Sequence, residues 1–346
     1  MFEISCLKNS EEDLWDRYVL NHPEGTFFHL TGWKRVVEKT FSHKSIYLLA
    51  KDKGKVLGVL PAFVVKSFLF GKSLVSTGFG AYGGVLSEDE KVAEHLIQKA
   101  IEITKEEKLD YFEVRNLYRK EPNLITKDLY YTFRKEIYED PDDNLKSIPR
   151  KSRRMVRVGR DKYKLRCEKS GKDFLDPFYE VYAKSVHNLG SPVYPKSLFK
   201  NLLEEFKEDC KIFLITPNSS NEVLAGVMTF YYKDQVLPYY AGSTLKGKKM
   251  AANDFMYWNV MLDGCNRKYK LFDFGRSKKG TGSFSFKKHW GFEPKPLNYQ
   301  YFLNKTDEVP NVSPLNPKYQ RKIKLWKKLP FKLTKLIGPY LVKYIP

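Results

Sequence analysis

Apolar residues recur with helical spacing in one part of the chain and in short strand-like runs in others. Residues 90–108 place apolar side chains at i, i+3, i+4 and i+7, which predicts an amphipathic helix. Two β-rich runs precede it, at 45–50 and 55–65, and the turn signal at 52–54 predicts a hairpin between them. A short apolar run at 110–116 then predicts a buried strand. The first part of the chain therefore predicts a domain that mixes helices with strands.

The same order of predicted elements returns about 160 to 170 residues later. The segment 211–230 resembles 45–63, and 271–277 resembles 111–116. Each copy reads helix, helix, strand, strand, helix, strand, and agreement in both order and spacing indicates an internal duplication. We therefore predict two α/β domains of the same type, each a mixed sheet flanked by helices.

Capping signals and apolar spacing place the other helices of this repeat. In the first copy, Ser10 and Thr31 predict the starts of two helices. In the second copy, the predicted helices are 174–186, 197–206 and 253–265. The predicted domains are 1–140 and 141–306, followed by a linker and a basic amphipathic tail at 307–346.

The charge of the chain narrows the choice of partners. Its 61 Lys and Arg against 41 Asp and Glu give a formal net charge of +20, which favours nucleic acid, phosphorylated ligands or an anionic membrane surface. The alternative is a soluble protein from a lysine-rich proteome. Residues 145–172 hold twelve Lys and Arg against only Asp161 and Glu168. This segment either binds an anion or forms a solvated helix face, and its charge density favours the anion.

The C-terminal tail is the second basic region. Residues 318–346 carry nine Lys or Arg and no acid, with Tyr319, Trp326 and Ile337 close to helical spacing. This pattern predicts a tail that binds an anionic membrane surface. The alternative is a terminal helix packed on the body of the protein with its lysines in water.

Several kinds of site have no signal in the sequence. The four cysteines lie far apart without a CxxC pair and the six histidines form no ligand-spaced pair, so neither a metal site nor a disulfide framework is predicted. The first residues show no basic-then-apolar leader, and no run approaches the roughly 18 apolar residues that span a bilayer. We expect a cytoplasmic protein, either free or peripheral on the inner face of the membrane.

Residues 271–292 form the strongest candidate site. A short apolar strand ends in a glycine turn, and a stretch in which aromatic residues alternate with Ser and Lys predicts a return along the same sheet. Such a turn presents backbone N–H groups and cations to an anionic or carbonyl-bearing ligand. No Ser-His-Asp arrangement is recognisable, but transfer from an already activated donor does not require a protein nucleophile.

Each residue of this candidate site has an expected role. Asp273 and Lys287 are the predicted catalytic residues: Asp273 can accept a proton from an incoming ammonium or orient it. The alternative for Asp273 is an ion pair with Arg276 or Lys287, since Glu113 and Arg115 occupy matching places in the first copy. Cations and backbone N–H groups can clamp a phosphate, a carboxylate or an oxyanion, and aromatic residues can shape the pocket or belong to the core. The predicted substrate-binding residues are Arg276, Ser277, Gly280, Gly282, Ser283, Lys288, Tyr239, Tyr240, His187 and Tyr194.

Four stretches together carry a family resemblance: FHLTGWKRVVEKTFSH (28–43), VLGVLPAFVVKSFLFGKSLVSTGFGAYGG (56–84), LGSPVYPKSLF (189–199) and FDFGRSKKGTGSFSFKKHWGFEPKPLNYQY (272–301). The chain resembles the FemAB-type transferases, which are tandem GNAT-fold proteins, and in particular the FemAB-like proteins associated with exosortase/PEP-CTERM systems. The resemblance implies transfer of an aminoacyl or acyl group to an amine of a cell-envelope precursor, of the peptidoglycan or exopolysaccharide kind, with the acceptor held near residues 271–292.

The same resemblance leaves the acyl donor open. We expect no bound cofactor, and the co-substrate is either an aminoacyl-tRNA or an acyl-CoA. The pyrophosphate loop of CoA-dependent GNAT proteins would fall at 243–255, where the sequence departs from the R/Q-x-x-G-x-G/A pattern. The long helical hairpin that is typical of some tRNA-dependent enzymes has no counterpart in the sequence either. Two other functions remain open: an acyl-CoA-dependent enzyme that modifies an amino sugar, and a non-catalytic module that binds tRNA or anionic lipid.

Overall fold

The computed structural model of the chain describes residues 2–67, 71–311 and 316–345. The strands are β1 (Glu3–Cys6), β2 (Lys44–Asp52), β3 (Lys55–Ser67), β4 (Gly71–Ser76), β5 (Leu86–Ser87), β6 (Tyr111–Asn116), β7 (Ile125–Thr126), β8 (Tyr130–Glu136), β9 (Leu165–Ser170), β10 (Cys210–Pro217), β11 (Ala225–Tyr232), β12 (Gln235–Ser243), β13 (Leu271–Asp273), β14 (Ser277–Lys278), β15 (Pro294–Pro296) and β16 (Asn298–Leu303). The helices are α1 (Glu12–Asn21), α2 (Thr31–Phe41), α3 (Glu90–Glu106), α4 (Pro141–Ser147), α5 (Arg150–Arg157), α6 (Leu175–Leu189), α7 (Lys196–Phe206), α8 (Leu245–Lys249), α9 (Ala252–Asn266), α10 (Gly282–His289), α11 (Pro317–Lys328) and α12 (Phe331–Val342).

The chain divides into two compact units, each built on its own sheet. The boundaries between the units, after residues 130 and 295, each lie about ten residues before the predicted domain ends at 140 and 306. The reason is that β8 pairs in the second sheet and β16 pairs in the first. Unit 1 comprises Met1–Tyr130, Pro296–Val312 and Val342–Pro346, and unit 2 comprises Tyr131–Lys295 and Ser313–Leu341.

The sheet of unit 1 has the strand order β1-β2-β3-β4-β6-β16-β7, with β5 beside β3. Strands β4 and β6 are parallel and the other neighbours are antiparallel. Helix α3 buries Leu96 and Ala100 in the same core cluster as Leu74 and Phe112 of the sheet. The helix predicted at 90–108 is therefore confirmed, and its apolar residues form the face that packs on the sheet.

The sheet of unit 2 repeats this order as β9-β10-β11-β12-β13, followed by β8 and β14, with β15 beside β8. Strands β12 and β13 are the parallel pair, in the same place as β4 and β6. Helix α9 contributes Phe255 and Met261 to a core that includes Val227, Val236 and Phe272. The predicted duplication is thus confirmed as a repeated topology, and so is the mixed α/β fold of two sheets flanked by helices.

The structure adds two matching strands to each predicted copy. β1 and β9 precede the first helix, and β4 and β12 lie between the hairpin and the following long helix. β12 contains Pro238, Gly242 and two adjacent tyrosines, a composition without a clear strand period. Residues 68–70, between β3 and β4, lie outside the described residues.

Two predicted helix starts shift by one or two residues. Thr31 is the first residue of α2 rather than its cap: its N–H and hydroxyl donate to the Asp16 carboxylate at 2.8 and 2.7 Å, so α1 supplies the acceptor. Ser10 lies in a short 3-10 turn, Asn9–Glu11, and α1 begins at Glu12. Among the described residues, no helix is long and apolar enough to cross a lipid bilayer.

Candidate active site

The parallel strands β12 and β13 are hydrogen-bonded only at their first residues. Gln235 pairs with Leu271 and Val236 with Phe272, whereas β12 continues to Ser243 and from Leu237 onward pairs, within the described part of the chain, with β11 alone. Pro238 removes a backbone donor there, and the register of β11 and β12 shifts between Met228 and Thr229. The two strands therefore part toward their carboxyl ends, which is where open α/β sheets bind ligands.

The chain leaves β13 through a tight turn at Phe274, Gly275 and Arg276. Oδ1 of Asp273 accepts the Gly275 N–H at 2.7 Å, and Gly275 has φ +65°, a conformation that favours glycine. A Cβ at Gly275 would lie 3.7 Å from the Tyr239 ring. The turn thus lies against β12 beside Tyr239, where the two strands have parted.

Asp273 is paired with an arginine that the sequence did not suggest. Its carboxylate is 1% exposed, and Oδ2 lies 3.2 Å from Nε of Arg134, the residue opposite it in the register of β13 and β8. Arg134 also donates from Nη2 to Gln235 Oε1 at 2.9 Å. Asp273 therefore has an ion-pair partner, Arg134, that lies far earlier in the chain, within the first predicted domain. Its charge also acts on Lys287.

Lys287 is buried and reaches the same turn from α10. Its Nζ donates to the backbone carbonyls of Phe274, Gly275 and Arg276 at 2.6, 3.1 and 3.2 Å. Burial lowers the pKa of Lys287 to about 7. The negative charge of Asp273 raises this pKa, and the positive charge of Arg276 lowers it. Lys287 therefore exists in both charge states near neutral pH. The ammonium form can donate to all three carbonyls of the turn, whereas the neutral amine has two N–H groups and gives up one of these hydrogen bonds.

Residues 282–289 form a helix, α10, so the predicted return along the sheet is wrong. Oγ1 of Thr281 accepts the Phe284 N–H at 3.4 Å and caps the helix, and Gly280 has φ +80° just before it. No described residue provides an acceptor for the N–H groups of Gly282 and Ser283. The aromatic residues of this stretch pack on opposite sides of the helix: Phe284 against Tyr131 and Phe133, and Phe286 against Tyr257 and Phe274.

Aromatic side chains form a wall beside the turn. Tyr240 packs against Tyr194, Tyr239 and Phe199, with ring centroids 4.7 to 5.8 Å apart. Burial raises the pKa of Tyr240 well above its ordinary value, with Arg276 opposing that shift. The Tyr240 hydroxyl has no hydrogen-bond partner among the described residues. Tyr194, Tyr239, Tyr240 and the turn are thus brought together, as the sequence-based hypothesis requires.

Three predicted site residues lie elsewhere. His187 Nδ1 is 2.9 Å from Thr334 Oγ1 on α12, and its ring packs against Phe331. Ser277 lies in β14 at the edge of the sheet, and its buried hydroxyl has no hydrogen-bond partner among the described residues. Lys288 is exposed on α10, next to the buried Lys287. Ser277 directly follows Arg276 of the turn in the chain, and the roles of all three residues remain predictions.

The basic segment is attached to the end of α10. Ser152 Oγ on α5 donates to the His289 carbonyl at 2.7 Å, and a Cβ at Gly291 would lie 2.9 Å from Pro149, the residue before α5. No acidic side chain of the described residues lies within ion-pairing distance of five cations on α5, so an unneutralised cationic helix adjoins the candidate site. The five are Arg150, Lys151, Arg153, Arg154 and Arg157.

The segment expected to bind a CoA pyrophosphate is a short helix, α8. Thr244 Oγ1 accepts the Gly247 N–H at 2.9 Å, so this amide already has a partner. A Cβ at Gly247 would collide with the Leu224 carbonyl, which explains the glycine by packing. Lys248 and Lys249 remain exposed beside it. The described part of the chain has no group of His, Cys, Asp or Glu side chains arranged to hold a metal ion.

We expect the stability of the protein to rise with pH above about 7 through Lys287. The folded chain releases the Lys287 proton near pH 7, whereas the unfolded chain keeps it up to about its ordinary pKa of 10.5. Unfolding therefore takes up a proton in this window, and the free energy of unfolding gains up to about 1.4 kcal/mol per pH unit. Denaturant titrations of the wild type and Lys287→Met from pH 7 to 10 should show the extra slope in the wild type alone. Parallel curves would contradict the low pKa.

Comparison with known proteins supports this assignment of the fold. Residues 143–288 match the family of acetyltransferase (GNAT) domains, from α4 almost to the end of α10. None of the curated proteins compared with the chain has a similar sequence.

Several solved structures share the architecture of the chain. A structure of FemX is 17% identical, with a TM-score of 0.67, over 92% of this chain and 99% of FemX. A tandem GNAT protein from the clavulanic acid biosynthesis pathway is 10% identical, with a TM-score of 0.56, over 87% of this chain and 97% of that protein. A chain described as the C-terminal domain (DUF2156) of a lysylphosphatidylglycerol synthetase from Agrobacterium fabrum is 11% identical, with a TM-score of 0.58, over 86% and 93%. At these identities the likeness shows the fold: two tandem GNAT-type units.

Proposed function

We propose that the protein is an N-acyltransferase that joins an aminoacyl or acyl group to an amine of a cell-envelope or surface-polysaccharide precursor. The observation that carries this proposal is the opening between β12 and β13, bordered by the turn that Asp273 and Lys287 hold. It lies within the segment that matches GNAT acetyltransferase domains. The likeness to FemX supports the envelope acceptor, and the exosortase-associated resemblance favours a surface polysaccharide.

The chemistry needs few groups from the protein. The acyl–oxygen or acyl–sulfur bond of the donor breaks and an amide bond forms. Of the two protons that the acceptor ammonium loses, one goes to a base of the protein and the other to the departing hydroxyl or thiol. Lys287, with a pKa of about 7, is the residue we assign as the proton acceptor. The buried Tyr240 hydroxyl can donate to the reacting carbonyl, and Asp273 sets the charge next to Lys287.

The donor is either an aminoacyl-tRNA or an acyl-CoA. The unneutralised cations of α5 favour a phosphate backbone, since RNA binding depends on many exposed Lys and Arg side chains. The GNAT match and the exposed Lys248 and Lys249 favour acyl-CoA, which would make an amino sugar the acceptor. In either case we place the protein in the cytoplasm, free or peripheral on the inner face of the membrane.

Ligand-dependent melting distinguishes these donors. If the donor is an aminoacyl-tRNA, we expect it to raise the melting temperature, and Arg153→Gln with Arg154→Gln to weaken its binding at least about tenfold. The matched control removes two exposed lysines of the β2–β3 hairpin, Lys53→Gln with Lys55→Gln, and should bind normally. Stabilisation by acyl-CoA, unaffected by the α5 substitutions, would select the alternative donor. Binding of tRNA or lipid without transfer to any amine would favour the non-catalytic module.

A further inference from the structure

The C-terminal helices α11 and α12 have an inner face that packs on unit 2. Thr334 contacts His187, and Lys335 forms an ion pair with Glu180 on α6. A Cβ at Gly338 would lie 2.8 Å from the backbone N of Val193, so α12 approaches the chain after α6 closely. The tail is therefore docked on unit 2, as the alternative in the sequence analysis stated. Docking uses only one face of α12.

The opposite face of α12 carries an exposed apolar stripe. Leu333, Leu336 and Tyr340 follow one another at i, i+3 and i+7, the spacing of a single helix face, and Leu336 and Tyr340 are 66% and 67% exposed. Leu325 on α11 is 64% exposed. Leu189 is also exposed, and it precedes Gly190, whose Cβ would lie 2.6 Å from Ile323 of α11. Five large apolar side chains that are exposed thus lie on the two C-terminal helices or next to them: Leu189, Leu325, Leu333, Leu336 and Tyr340.

The charged residues of α11 and α12 all have a positive sign. No Asp or Glu occurs after Glu308. Lys335 has a carboxylate partner, but no acidic side chain of the described residues lies within ion-pairing distance of seven other cations on the two helices and the turn that joins them. The seven are Lys318, Arg321, Lys322, Lys324, Lys327, Lys328 and Lys332.

We propose that the outer face of α12, with the adjoining part of α11, is a docking surface for an anionic lipid bilayer. An apolar stripe flanked by lysines on a helix already fixed to the protein suits the membrane interface: leucine and tyrosine enter the acyl boundary while the ammonium groups meet phosphate headgroups. A second protein would have to supply both an apolar surface and a field of carboxylates. A second copy of this chain cannot supply the carboxylates from its own tail, which contains none.

The test is co-sedimentation of the full chain with vesicles of phosphatidylcholine, with and without phosphatidylglycerol. We expect binding to the anionic vesicles at low ionic strength, and binding weaker by about tenfold or more without the anionic lipid or at high salt. Leu336→Ser with Tyr340→Ser should reduce binding by about tenfold, because both side chains are exposed and their loss leaves the packed inner face intact. The matched control, Leu14→Ser with Leu20→Ser on α1, should bind like the wild type.

Three outcomes would overturn the proposal. One is equal binding to vesicles with and without phosphatidylglycerol. Another is full binding by the Leu336→Ser, Tyr340→Ser variant together with loss of binding by Arg153→Gln, Arg154→Gln, which would locate the lipid contact on α5. The third is a dimer, measured by light scattering, that disappears in the Leu336→Ser, Tyr340→Ser variant, since this would assign the stripe to a second copy. Because transfer from a soluble donor to a soluble amine needs no bilayer, this test and the test of the proposed activity can fail separately.

Discussion

Replacing Lys287 with Met is expected to lower the rate of amide formation by about two to four orders of magnitude. Methionine fills a similar volume but can neither accept the proton of the acceptor ammonium nor donate to the carbonyls of Phe274, Gly275 and Arg276. The wild-type rate should rise with pH to a plateau above about pH 7, because Lys287 acts as a base only after it loses its own proton. The residual rate of the variant should lack this dependence.

The matched control is the neighbouring lysine on α10. Lys288 is exposed, so Lys288→Met removes one positive charge from the same helix without changing the turn. We expect Lys288→Met to retain the wild-type pH dependence of the rate. If Lys287→Met kept that dependence too, with only a lower rate, Lys287 would serve to hold the turn and not to transfer a proton.

Replacing Asp273 with Asn is expected to lower the free energy of unfolding by about 3 kcal/mol and to shift the pH dependence of transfer. The amide can still accept the Gly275 N–H, but it leaves the Arg134 guanidinium without its carboxylate. Asp273 also raises the pKa of Lys287, so its removal lets that pKa fall further. The midpoint of the pH–rate curve should therefore move to lower pH, which equilibrium unfolding and transfer assays measure together.

Two variants separate the charge of Asp273 from its contribution to folding. Asp273→Asn combined with Arg134→Gln removes the stranded cation as well, and should recover part of the lost stability without restoring the midpoint. Asp263→Asn removes another carboxylate of unit 2, one that pairs with Lys169 and the Tyr231 hydroxyl, and should change stability but not the pH dependence of transfer. An unshifted midpoint in Asp273→Asn would show that its charge does not act on the proton acceptor.

The sequence predicted the repeat and the fold class because those features rest on local periodicity. The helix at 90–108 buries one face, so its apolar spacing carries the information. The hairpin at 45–65 is buried on both faces, and two continuous apolar runs on either side of a turn signal mark it. β12 was missed for a physical reason. Both of its faces are largely buried and Pro238 and Gly242 interrupt it, so no alternation of apolar and polar residues marks it as a strand.

The composition of the candidate site was predicted better than its contacts. Asp273, Arg276 and Lys287 are neighbours in the sequence, and the structure indeed brings all three to one turn. The partner of Asp273 could not be found in this way, because Arg134 reaches it through strand pairing between distant segments. α10 was misread as a return strand since Phe284 and Phe286 alternate with polar residues, and only the Thr281 cap reveals the helix.

The central claim is that this chain forms an amide from an activated acyl donor at the turn held by Asp273 and Lys287. The most direct test incubates the purified chain with isotopically labelled aminoacyl-tRNA or acyl-CoA and with amine acceptors of the peptide and amino-sugar kinds, and detects the labelled product by mass spectrometry. We predict an amide product from one donor class with the wild type, and its loss with Lys287→Met. A labelled amide formed equally by the wild type and Lys287→Met, or no amide from a donor that demonstrably binds, would contradict it.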